Sequence, residues 1–178
     1  MDAFAELGLP RSPLVDEELL ARRFDVLSRS RHPDAGGDPA AFARLGEARR
    51  VLLSSSLRLR HLLDLEFPGT RLDGTLSTSL MDLFSTLGPT LQAATEFAHR
   101  KEAATTALAR AVLASEEMRQ REALESAAGT LADRLEALLQ ATHSWDTTAA
   151  PLAAWAREAA FLEKWQSQVR HLLSRFYL

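Results

Sequence analysis

The chain has 178 residues, 46% hydrophobic and 25% charged, which excludes wholesale disorder and suits one ordinary domain or two small ones. It has no cysteine, so a disulfide scaffold, a zinc–thiolate site, an iron–sulfur ligand set and a thiol nucleophile are excluded. The formal net charge of -3 argues against a nucleic-acid binder driven by bulk charge. No apolar run suits a membrane span or a signal-peptide core.

Abundant Leu and Ala, with 8 Gly and 7 Pro, predict an all-α, soluble, cytoplasmic protein. Asp2 to Leu7 reads as a short helix stopped by Gly8, and Pro10 and Pro13 keep the next stretch irregular. Asp16 caps a longer helix, with Glu17 and Glu18 in its first turn. Leu20, Phe24 and Leu27 form its core stripe, and Pro33 ends it. Asp38-Pro39 then starts a helix striped by Ala41, Leu45, Ala48 and Leu52. Two such helices joined by HPDAGG should lie antiparallel, stripe against stripe. A fourth short helix is expected from about Ser56 to Leu65. The stretch FPGTRLDGTLSTS, Phe67 to Ser79, reads as a linker.

Beyond it, Leu80, Leu83, Leu87 and Leu91 stripe one helix, which Gly88 and Pro89 should kink or split. Leu124, Leu131, Leu135 and Leu138 mark a second, and HSWDTTAAP makes a turn. The last helix carries Leu152, Trp155, Ala159, Leu162, Val169, Leu173 and Phe176, completing a three-helix bundle. Met81 and Phe84 are displaced from the leucine seam and are candidates for exposure. Phe161 and Trp165 sit one residue off theirs, where large apolar groups either widen a core or form a surface.

The loop between the paired helices holds His32-Pro33-Asp34, after a helix bearing Arg22, Arg23, Arg29 and Arg31. This arrangement resembles a J domain, the module with which co-chaperones dock on DnaK-type chaperones and stimulate their ATPase. The run RRFDVLSRSRHPD is similar to the HscB-type co-chaperones of iron–sulfur cluster assembly at Arg23, Phe24, Leu27, Arg29 and the tripeptide. The run LGEARRVLLSSSLRLRHLLDL is similar at Ala48, Leu52, Arg58, Leu62, Leu63 and Leu65. Further on, Leu80-Met81 and Phe161-Leu162-Glu163-Lys164 resemble regions that supply the family's patch for the cluster scaffold. The departures are Arg31 for an aromatic, Ser55 for a proline, and Ser85 and Gly88 in a helix where the family carries glutamates.

The resemblance implies a J domain over 1–66, a linker over 67–79 and a client-binding bundle over 80–178. It implies chaperone docking through His32, Pro33, Asp34, Arg22, Arg23 and Arg29, and client binding through Leu80, Met81, Phe84 and Phe161. The expected partners are a DnaK/HscA-type ATPase chaperone and an iron–sulfur scaffold protein, not nucleic acid or a membrane. No enzymatic activity, cofactor or metal site is expected. His99 and Glu102 share a helix face without a second ligand set, and no phosphate loop, nucleophile elbow or zinc motif occurs. The rival readings are a J-domain protein with another client, and a helical regulatory module in which the tripeptide is accidental.

Overall fold

The computed structural model describes residues 1–176, and the chain is all-α. The helices are α1 (Ala3–Leu7), α2 (Glu17–Arg31), α3 (Pro39–Leu53), α4 (Ser55–Glu66), α5 (Thr78–Ala103), α6 (Ala107–Gln140) and α7 (Ala149–Phe176). Two compact units emerge. Met1–Gly74 groups with Leu138–Ala160, and Thr75–Ala137 groups with Phe161–Leu178.

In the first unit, side chains start the helices by satisfying otherwise orphaned N–H groups. The Asp2 carboxylate accepts from the N–H groups of Phe4 and Ala5, Asp16 from Leu19, and Asp38 from Ala40 and Ala41. Helix α3 packs against α1, α2 and α4, and its Leu45, Ala48 and Leu52 are fully buried. They meet Phe4, Leu7, Leu20, Leu59, Leu62 and Leu63 in one core, where each large side chain contributes about 1.5–3 kcal/mol on burial. Phe24 is only half-buried, and the Arg49 guanidinium lies 4.7 Å over its ring.

One cation lies inside this core. Arg58 donates to the Pro13 carbonyl at 2.7 Å, to the Leu52 carbonyl and to Ser55 Oγ. It thereby ties α4 to the segment before α2 and to the end of α3, satisfying carbonyls that burial would otherwise penalise.

In the second unit, α5 buries Leu80, Leu87, Leu91, Ala94, Phe97 and Ala98, while Leu83 is half-buried. The expected break at Gly88-Pro89 does not split α5, which runs unbroken through both residues. Pro89 and Ser85 are exposed, so water can serve the carbonyl that proline leaves without a donor. Leu87 and Leu91 meanwhile anchor the turns on either side. Phe97 meets Phe176 edge-on at 5.4 Å, and Arg100–Glu116 and Lys101–Glu117 ion pairs join α5 to α6. On α7, Leu172 is buried and Leu173 half-buried, one position away from the predicted seam.

Candidate functional site

The loop after α2 is built almost wholly from its own backbone. His32 leaves the helix in an extended conformation, and Pro33–Ala35 form a single 3-10 turn. Gly36, at φ 82, donates to the Pro33 carbonyl at 2.9 Å, and Gly37 donates to the His32 carbonyl at 3.0 Å. At Gly37 the chain doubles back so closely that a Cβ would sit 2.2 Å from the Arg31 carbonyl oxygen.

Within this turn, His32 Nδ1 accepts from the Asp34 N–H at 3.2 Å, and the ring meets Phe42 edge-on at 5.0 Å. With Nδ1 accepting, the neutral imidazole carries its proton on Nε2. The His32 side chain is 46% exposed and that of Asp34 92%. The three residues are thus held by the turn and offered outward, with little freedom left to lose on binding.

Arg31 faces elsewhere. It pairs with Glu6 at 2.9 Å, and Arg44 reaches the same carboxylate at 3.5 Å, so α1 fastens the bases of α2 and α3 beside the loop. Arg22, Arg23 and Arg29 are exposed on α2, and Arg22 pairs with Glu18 one turn back at 3.3 Å. Arg22 and Arg29 share the face opposite the core residue Leu20.

The second candidate surface lies within the second unit. Leu76, Leu80, Met81, Phe84, Phe161 and Trp165 line a groove of about 620 Å³, with Lys164 at its edge. Met81 and Phe84 are 57% and 58% exposed, whereas Leu80 is 1% exposed and belongs to the core beneath them. Phe84 stacks on Trp165 at 5.5 Å, and Phe161 meets the same indole at 6.3 Å. The four apolar residues named from the sequence are therefore brought together, with Leu80 contributing from below.

No protein-family model matches the sequence, and no curated protein matches it. Among solved structures, chaperone HscB from Vibrio cholerae matches with a TM-score of 0.56 at 19% identity, covering 96% of each chain. The chain has the HscB fold.

Trp165, which the sequence left open between core and surface, is buried and is the common contact of Phe84 and Phe161. Other residues at the two surfaces were not singled out by sequence. Leu76 joins the groove from a stretch read only as linker. Glu6, Phe42 and Gly37 brace the loop from outside the tripeptide. His99 and Glu102 stand 3.8 Å apart and exposed, and no group of three or more potential metal ligands occurs among the described residues. No helix among these residues is long and apolar enough to cross a membrane.

Proposed function

We propose that this HscB-fold chain is a co-chaperone that docks on a DnaK/HscA-type chaperone, stimulates its ATPase and delivers a client protein. The observation that carries the reading is the outward, pre-set turn of His32, Pro33 and Asp34 at the end of a helix with exposed arginines. Such a turn suits a switch contact and not bond-making. The Asp34 carboxylate can take a bidentate hydrogen bond from a partner arginine, and Arg22, Arg23 and Arg29 steer the encounter towards an acidic face. In this reading residues 1–66 act as the J domain, 67–79 as the join and 80–178 as the client-binding bundle.

The client is an iron–sulfur cluster scaffold protein in the cytoplasm, held at Met81, Phe84 and Phe161 over Leu80. The likeness to a protein named as a chaperone supports the general role. A J-domain protein with another client is the second reading. It is favoured by Ser85 lining the groove, where none of the described lining residues is a carboxylate. Co-purification with a cluster scaffold from the source organism separates the two.

The deciding assay is ATP turnover by the DnaK-type chaperone of the same organism, with wild type and His32→Gln. Wild type should stimulate turnover and the variant should not. Both should melt alike, because an exposed loop substitution shifts stability by less than about 0.5 kcal/mol. A variant that stimulates as well as wild type overturns the reading.

A further inference from the structure

We propose that Val26 is an apolar anchor at the centre of the α2 docking face. The partner surface opposite it would then be two acidic points flanking an apolar one, not a continuous acidic strip. The proposal rests on the co-chaperone reading and names the chemistry its partner must present.

Val26 is 66% exposed, the only large apolar side chain of α2 among the strongly exposed ones. It lies four residues after Arg22 and three before Arg29, so all three share the outer face of the helix. Leu20 lies on the opposite side, fully buried, which leaves Val26 no part in the core. A β-branched side chain in an exposed helix interior lowers helix propensity, so local folding does not explain it. Asp25 beside it subtracts positive charge from the same face.

The cationic field of α2 is consequently divided, with Arg22 and Arg23 before Val26 and Arg29 after it. At the helical rise, Arg22 and Arg29 stand about 10 Å apart along the axis. Charge complementarity commits the occupant to a face with acidic groups at that separation and an apolar contact between them. Charges at the rim govern association, whereas a desolvated apolar contact governs dissociation.

The test measures docking of the full chain and its variants on the purified ATP-bound DnaK-type chaperone of the same organism, at several salt concentrations. Val26→Ala should weaken docking by about 3- to 10-fold, almost all in the dissociation rate, with the salt dependence unchanged. Arg22→Ala with Arg29→Ala should instead slow association and flatten the salt dependence. Val26→Arg is the decisive variant. It should weaken docking despite the added positive charge. Tighter docking by Val26→Arg would mean a uniformly acidic partner face and overturn the proposal, as would Val26→Ala with an unchanged dissociation rate. If wild type fails to dock and His32→Gln makes no difference to ATP turnover, the co-chaperone reading itself falls, and this proposal falls with it.

Discussion

The loop at 32–37 and the groove beside Trp165 are both outward surfaces, yet they are made in opposite ways. The loop is held by short-range backbone hydrogen bonds, a left-handed glycine and a histidine that bonds its own turn. The groove joins residues from Leu76 to Trp165 through stacked rings and side-chain packing. A surface fixed by backbone presents one geometry and tolerates little change. One made of side chains over a buried floor can change its surface without losing its support, which suits a client contact.

The largest effect should come from the place where the loop has no slack. Gly37→Ala sets a Cβ against the Arg31 carbonyl, and the atoms it meets are all backbone of Arg31, which no side-chain rotation can move aside. We expect more than about 3 kcal/mol of destabilisation or a re-laid loop, with chaperone stimulation lost as fully as in His32→Gln. Gly36→Ala is the control. Its Cβ would meet nothing within 4 Å, so only the strain of φ 82 is felt, about 1–2 kcal/mol. Thermal melts and ATP turnover on both variants check this, and equal effects would break the contrast drawn for the loop.

The groove should separate floor from surface. Leu80→Ala removes a fully buried side chain and should cost about 2–5 kcal/mol. Met81→Ser with Phe161→Ser should cost less than that and abolish client binding, since Met81 is exposed and Phe161 half-buried. Binding and melting measured together decide it. A collapse of the double variant would place the pair in the core and leave the client site unlocated.

This contrast also explains what the sequence could disclose. Capping residues, the Asp38-Pro39 start and the stripes of α2 and α3 depend on neighbours within a few positions, and all were legible. The tripeptide was legible for the same reason. Arg58 was not recognised as a buried tie, because its acceptors are the carbonyls of Pro13 and Leu52, which carry no sequence signal. Arg31 read as a departure from the aromatic expected there, and its pairing with Glu6 needs the packing of α1 on α2. Continuity of α5 through Pro89 depends on which face is wet. Displacement from the seam suggested Met81 and Phe84, but only the fold brings Trp165 beneath Phe84.

The smallest expected effect is a pH dependence confined to the unit that carries the loop. His61 is half-buried in α4, its Nε2 accepts from the Ala3 N–H at 3.0 Å, and its ring stacks on Phe4 at 6.0 Å. Burial holds its pKa below the usual histidine value. Asp2 at 4.0 Å and Asp64 oppose that shift, while the Met1 amine and Arg11 add to it. The unfolded chain therefore takes up this proton first as pH falls, so stability should decline once pH drops below about 6.5. Protonation also removes the acceptor of the Ala3 N–H, at the first residue of α1, and α1 supplies the Glu6 carboxylate held by Arg31 beside the loop. Burial pushes the Asp2 carboxyl up, but Arg11 and the N–H groups of Ala5 and Phe4 outweigh this and hold its pKa low. Its stabilisation is lost only below about pH 4. Between pH 7 and 5 the urea midpoint of wild type should fall, and that of His61→Gln, whose amide oxygen can still accept from Ala3, should fall less. Hydrogen-exchange protection corrected for pH should drop in α1 and hold in α5. Equal loss in both variants would acquit His61, and equal loss in both helices would mean that the two units share one acid response.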